Sequence, residues 1–313
     1  MTKAEPETHG WRNAILARCA GIPPVSTAVV HPCDDAALGA ALDAAALGLI
    51  EPILVGPEHK IRAAAAALGA DISGLRLEPT LHSHAAADRA VALVRAGEAE
   101  LLMKGSLHTD ELMHAVLADG TGLRTARRVS HVYIMDVPRY PRPLLITDAA
   151  INIAPSLEDK RDIVQNAIDL AHILAIPEPK VAILSAVETV SSKLQSTLDA
   201  AALCKMADRG QITGGLLDGP LGFDNAISPE AARDKGLKSA VAGVADIVVT
   251  PDLVSGNLLA KNLTFLAGAD AAGVVLGAKV PIILTSRADP EAARVASCAV
   301  AVLMVRGQAG VAA

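Results

Sequence analysis

Short β-prone runs recur along almost the whole chain, each closed by glycine, proline or a carboxylate and followed by an Ala- and Leu-rich stretch. The pattern predicts strands over Thr27–Cys33, Ile53–Val55, Glu100–Lys104, Val181–Leu184, Ile212–Leu217, Asp246–Val249, Val274–Leu276 and Pro281–Leu284. It predicts helices near Gly10–Ala20, from Asp34 or Asp35 to Gly48, and over Glu58–Leu68, His82–Ala96, Thr109–Leu117, Glu158–Ala175, Lys193–Arg209, Gly256–Leu266 and Pro290–Val305. Parallel neighbours need a crossover of a dozen or more residues, so this alternation specifies βαβ units and a mainly parallel sheet. One place breaks it. Val129–Met135 and Leu144–Thr147 flank the link Pro138-Arg139-Tyr140-Pro141-Arg142-Pro143. Proline cannot donate to a ladder, so the link reads as a loop between two antiparallel strands. It invites a domain boundary near residues 143–148, or forms one long loop within a single sheet.

Composition narrows the class. The chain has 313 residues, enough for two domains or one large one. It is 51% hydrophobic but has one Trp, two Tyr and two Phe, so its core is expected to be Ala, Leu, Ile and Val. That suits helices packed on a parallel sheet. A net charge of −6 supplies no basic field for nucleic acid. Cys19, Cys33, Cys204 and Cys298 are scattered, without a CxxC pair or zinc spacing, and are expected to be reduced thiols. Met1 to Pro6 is polar and lacks the apolar core of a signal peptide. No uninterrupted apolar run of ~18–20 residues is present to span a membrane. A cytoplasmic protein with no metal site is expected.

In parallel sheets, ligands sit beyond the carboxyl ends of the strands. That rule nominates Lys104-Gly105-Ser106, Thr147-Asp148, Ser185, Asp218-Gly219, Thr250-Pro251-Asp252 and Thr285-Ser286-Arg287. In the last, two hydroxyls and a guanidinium precede a helix start, a combination suited to an anion. The bland alternative is a capped helix with a surface arginine. Lys104, leaving a buried strand beside a glycine and followed by His108, has the reach for a phosphate; its alternative is a solvated turn. Asn257 and Lys261 lie one helical turn apart on one face, where a cation would hold an anionic ligand or simply face solvent. Neither a Walker pattern nor a GxGxxG after the first strand occurs, so a dinucleotide site of the usual kind lacks support. Asp148 and Asp218 suit helix or turn caps, and Glu188 and Asp289 are open to acid or base work.

The stretches 144–155 (LLITDAAINIAP), 205–212 (KMADRGQI) and 218–221 (DGPL), then Pro251-Asp252-Leu253, Gly256-Asn257 with Lys261, and Thr285-Ser286-Arg287-Ala288-Asp289, resemble the phosphate acetyl/butyryl transferase family across nearly the whole chain. The likeness leans to the butyryl branch. The resemblance implies reversible transfer of a short acyl group, acetyl to butyryl, from CoA to inorganic phosphate. It implies no tightly bound cofactor, CoA as a substrate, no metal, and a homodimer. It also implies two α/β domains around a cleft, an architecture similar to isocitrate and isopropylmalate dehydrogenases, with residues 1–145 plus 287–313 in one domain and 146–286 in the other. By the same resemblance, Ser286 donates to the tetrahedral oxyanion, Arg287 grips the phosphate and Lys261 lies near the CoA and phosphate groups; from their places at strand ends and helix starts, Thr285, Asn257, Lys104 and His108 are expected to bind substrate with them.

Two departures stand out. Ala293 occupies the position of an acetyl-branch aspartate proposed as the thiol base, and Met113 stands in place of a family arginine. Lys104 or His108 would then restore the charge, and His108 or His131 would take the proton. A CoA-thioester-binding protein with little turnover is the alternative. An oxidoreductase is disfavoured because the clustered metal-binding aspartates of such enzymes are missing from the strand ends.

Overall fold

The computed structural model describes residues 10–284 and 290–309. In chain order the first stretch carries α1 (Gly10–Cys19), β1 (Val25–Val30), α2 (Asp35–Ala46), β2 (Ile50–Gly56), α3 (Glu58–Leu68), β3 (Arg76–Pro79), α4 (Ser83–Arg95), β4 (Leu101–Lys104) and α5 (Thr109–Leu117). The middle stretch carries β5 (Ser130–Asp136), β6 (Leu144–Thr147), α6 (Leu157–Ile173), β7 (Lys180–Leu184), α7 (Gln195–Asp208), β8 (Leu216–Leu221), α8 (Phe223–Ile227), α9 (Pro229–Asp234), β9 (Ile247–Val249) and α10 (Leu253–Ala267). The last stretch adds β10 (Asp270–Leu276), β11 (Ile282–Ile283) and α11 (Glu291–Ala309).

These elements form two compact units, a terminal one (Ala14–Arg127 with Ala272–Ala313) and a central one (Met1–Asn13 with Arg128–Ala271). In the terminal unit the strand order is β3-β2-β1-β4-β11-β10. Only β10 and β11 pair antiparallel; the other pairings are parallel. The chain moves outward from β1 to β2 to β3, then returns to lay β4 on the other side of β1. The order therefore reverses between β1 and β4, the kind of place where parallel sheets open a crevice for ligands.

The central unit has the order β5-β6-β9-β7-β8. β5 and β6 pair antiparallel, Val132 opposite Thr147 and Met135 opposite Leu144. The remaining pairings are parallel. This ladder keeps both sides of the proline link in one unit. Tyr140 in that link donates its hydroxyl to Ala245 O at 2.6 Å.

Strands β4, β6 and β9 are buried at every position, as strands covered on both faces must be. The core is aliphatic. In the central unit Met135, Leu144, Ile146, Leu184, Leu221 and Val248 pack together, with Tyr133, Tyr140 and Phe223 at the margin. Helix ends follow local chemistry. Asp34 caps α2 by accepting from Ala37 N at 2.8 Å, and Ser156 and Asp159 form a reciprocal capping box on α6.

Five elements differ notably from the sequence reading. The strand expected over 212–217 lies at 216–221, because Gly214 turns at φ +84° and a Cβ on Gly215 would lie 2.9 Å from Pro179 O. The ladder starts only where Leu216 comes opposite Lys180. Asp218-Gly219 is therefore inside a strand rather than beyond one. The helix expected from Gly256 begins at Leu253, capped by Asp252, so Gly256 is interior to it. Finally, β3, α8 and α9 had no counterpart in the sequence reading. None of the four cysteines is disulfide-bonded, and Cys19 and Cys298 are buried.

Candidate active site

Two polar edges form at the carboxyl ends of parallel strands, one in each unit. In the central unit the edge is organised by Asp148, which follows β6 and is 2% exposed. Its Oδ1 accepts from Ala150 N at 2.9 Å and Ile151 N at 3.0 Å; its Oδ2 accepts from Asn152 Nδ2 at 2.5 Å and His131 N at 3.3 Å. A carboxylate so surrounded by donors fixes a turn rather than moving protons. Asn152 extends the network, accepting from Arg128 Nε at 2.7 Å and donating to Val129 O at 2.9 Å. The next strand end docks onto this turn. Thr250 Oγ1 donates to Asp148 O at 3.1 Å, and Asn257 Nδ2 on α10 donates to Ala149 O at 3.2 Å. α10 comes this close only because Gly256 has no side chain: a Cβ there would lie 2.4 Å from Asp148 O.

Beside it, at the ends of β7 and β9, lies a cavity of 740 Å³. Leu184, Leu194, Phe223 and Leu259 supply apolar wall, and Ser185, Ser196, Lys160 and Asp199 supply polar groups. The charges are spent on each other: Lys160 Nζ donates to Asp199 Oδ2 at 2.6 Å with both side chains nearly buried. Ser185 and Ser196 share a hydrogen bond of 2.8 Å. With its cation paired, the cavity suits a neutral, partly apolar ligand better than a free anion. Neither Lys160 nor Asp199 was singled out by the sequence; their pairing bridges α6 and α7 and has no local signature.

In the terminal unit, Val30 lies opposite Lys104 and Met103 opposite Ile283. The ends of β1, β4 and β11 therefore stop at one level. The 31–33 and 104–106 segments are zipped together: Gly105 N donates to Val30 O at 2.9 Å and Ser106 N to His31 O at 2.9 Å. A Cβ on Gly105 would lie 2.4 Å from Val30 O, so only glycine permits the approach. Lys104 is 9% exposed, with Nζ 3.5 Å from Gly105 O. His108, exposed, stands at the start of α5 without a side-chain cap bond.

Thr285, Ser286, Arg287 and Asp289 lie outside the described residues. Of the other predicted site residues, Lys104 and His108 belong to the terminal unit and Asn257 and Lys261 to the central one. Lys261 is exposed, while Asn257 is partly engaged in packing. Ala293 and Met113 are both buried, so neither position presents a charge. His131 is fully buried, and neither ring nitrogen has a partner among the described residues. Burial pushes its pKa well down, against the opposing pull of Asp148, and a sealed ring has no path to a thiol. Glu188 accepts from Asn225 and pairs with Lys235 at 3.3 Å. The sequence reading passed over His31 because it ran the first strand from Thr27 to Cys33; β1 ends at Val30, and His31 follows it directly. Among the described residues, no group of three or more His, Cys, Asp or Glu could hold a metal ion, and no helix is long and apolar enough to cross a membrane.

Parallel α/β units with polar groups gathered at their strand ends are the build of an enzyme acting on small ligands. Residues 81–302 match the family model described as phosphate acetyl/butaryl transferase. A phosphate acetyltransferase of Rhizobium meliloti is 63% identical, the match covering 96% of this chain and 94% of that one. A phosphate butyryltransferase of Clostridium acetobutylicum is 41% identical, over 88% of this chain and 92% of that one. The crystal structure of a branched-chain phosphotransacylase from Enterococcus faecalis V583 superposes with a TM-score of 0.76 at 28% identity, covering 90% of this chain and 99% of that one. The chain belongs to the phosphate acetyl/butyryl transferase family.

Proposed function

We propose that this chain is an acyltransferase that moves a short acyl group reversibly between CoA and inorganic phosphate, giving acyl phosphate and free CoA. Membership of the family across most of the chain carries this reading. CoA enters as a substrate, with no tightly bound cofactor, and the reaction runs in the cytoplasm, where CoA, phosphate and reduced thiols coexist. Among acyl groups we favour acetyl, because the 63%-identical relative bears the acetyl name and the 41%-identical one the butyryl name.

The chemistry assigned to the residues is acyl transfer through a tetrahedral intermediate. The CoA thiolate adds to the carbonyl of the acyl phosphate, an oxyanion forms, and the carbon–oxygen bond to phosphate breaks. Ser286 donates to the oxyanion and Arg287 holds the phosphate in both directions. The support is where the chain enters that segment: β11 ends beside β4, so residue 284 stops at the edge that also bears Lys104. Thr285, Lys104 and His108 complete the anion contacts there. Lys261 and Asn257 bind CoA from α10. Much of the remaining acceleration comes from holding both substrates in line.

The experiment is phosphate-dependent release of CoA thiol from acetyl-, propionyl- and butyryl-CoA, read with a thiol-reactive dye. Release in all three, fastest with acetyl, is the expected result. CoA binding without release from any of them would support the non-catalytic reading instead.

A further inference from the structure

We propose that the base that takes the CoA thiol proton in this chain is His31, an assignment that rests on the acyl-transfer reading above. Ala293 leaves the acetyl-branch carboxylate without a counterpart, and His131 is sealed in the core. His31 follows β1 directly, beside the point where the strand order of the terminal unit reverses. Neighbouring strands stand about 4.8 Å apart, so the ends of β1, β4 and β11 fall within roughly 10 Å. A thiol, an acyl carbonyl and a phosphate in line fit that span.

The ring is held in one tautomer. Its Nδ1 lies 3.3 Å from the carbonyl oxygen of Ser106, which only accepts, so Nδ1 carries the hydrogen. The Ser106 hydroxyl donates to His31 O at 2.9 Å and keeps lone pairs for Nδ1–H at 3.4 Å and for Cys33 N–H at 3.1 Å. Nε2 is then left with its lone pair unengaged among the described residues, on a ring that is 9% exposed where His131 is 0%. An Nδ1–H fixed by a backbone carbonyl is how a histidine is set up to accept a proton at Nε2. The backbone supports the same view. His31 sits at φ +56°, a left-handed conformation that a non-glycine residue adopts only under constraint. The zipped 31–33 and 104–106 segments enforce it.

The step balances. Nε2 takes the thiol proton, the thiolate electron pair forms the sulfur–carbon bond, and the carbon–oxygen pair leaves with phosphate. In reverse, phosphate attacks the thioester and the imidazolium returns the proton to the departing thiolate.

The charged groups around the ring are Lys60 on α3, Glu111 on α5 and Asp34 before α2, with Lys104 at the end of the adjoining strand. Burial, aided by the Lys60 ammonium, lowers the ring's pKa below its ordinary value against the opposing pull of the Ser106 carbonyl, Glu111 and Asp34. The Cys33 thiol nearby is pushed up to about 11 by burial and stays protonated.

The test is the pH dependence of acyl-CoA formation from acyl phosphate and CoA, for the wild type and His31→Asn, a residue that tolerates the left-handed backbone. The wild-type rate should rise with a midpoint below the ordinary histidine value of ~6.5 and be level well before pH 8.5. The variant should lose about 10²-fold or more at pH 7, keep its melting temperature and its KM for CoA, and show its rising limb near the thiol's own pKa of ~8.5. Added imidazole should restore part of the rate. A variant profile that superimposes on the wild type, or a wild-type limb that itself rises near pH 8.5, overturns the assignment; the second needs no variant to fold. A wild type that transfers no acyl group at all defeats the reaction reading instead.

Discussion

At the scale of single residues, the outcome depends on which polar groups are committed and which are open. Asp148, Asn152, Glu188 and the Lys160–Asp199 pair are all engaged within the fold. Strand-end position alone did not separate such structural groups from reactive ones. Asp148 and Lys104 both follow buried strands, yet only Lys104 ends beside the strand that leads to Thr285. Ser286→Ala should lower turnover by ~10²–10³-fold, the usual loss for one oxyanion donor, without shifting the melting temperature. Arg287→Gln should raise the KM for phosphate more than that for CoA. Steady-state kinetics on both variants decide these roles, and a Ser286→Ala protein with wild-type turnover removes the serine from the mechanism.

At the scale of elements, caps were legible because they depend on neighbours in sequence. Asp34, one of the two carboxylates the sequence offered, opens α2, and Gly69 ends α3 directly after Leu68 in the left-handed conformation. Strand limits were less so. β8 starts four residues later than its apolar run suggests, because Gly214 and Gly215 pass close against α6 and Pro179. β11 keeps only Ile282 and Ile283 in its ladder. The start of α10 was misplaced because Gly256 looks like punctuation, whereas its role is the close approach to Asp148. Asp252 is the true cap, accepting from Ser255 N and Ser255 Oγ, each at 2.8 Å. Asp252→Ala should therefore lower stability by about 1 kcal/mol. Because the same helix bears Asn257 and Lys261, the KM for CoA should rise too. A urea midpoint unchanged from wild type would deny the cap its importance.

At the scale of the whole molecule, burial and surface set two expectations. His131, edge-on to Tyr133 with centroids 4.4 Å apart, is held neutral by desolvation, with its pKa lowered to about 4. Above pH ~6.5 the unfolded chain also keeps this ring neutral. As pH falls below that, the unfolded chain takes a proton that the folded one refuses, and stability declines until the folded ring protonates too. The contribution is at most ~1.4 kcal/mol per pH unit. His131→Leu should flatten the pH dependence of unfolding between 6.5 and 4 by one proton's worth; an unaltered slope would refute it. The second expectation concerns α10, whose outward face shows Val254, Leu258 and Phe265 with Lys261 among them, and Leu266 at its margin. A cation standing alone among apolar side chains is open to an anionic ligand rather than to an ion pair. Lys261→Ala should raise the KM for CoA about tenfold and leave the melting temperature unchanged; an unaltered KM removes this lysine from the site.

By itself the sequence determined the α/β class, the antiparallel break around the proline link and the family, because periodicity, turn residues and motifs are written over short spans of chain. Tertiary structure alone decided the order of the strands, the Lys160–Asp199 pairing, the sealing of His131 and the meeting of His31 with Ser106. Those depend on residues far apart in sequence becoming neighbours across a sheet, and no local pattern records which strand will lie beside which.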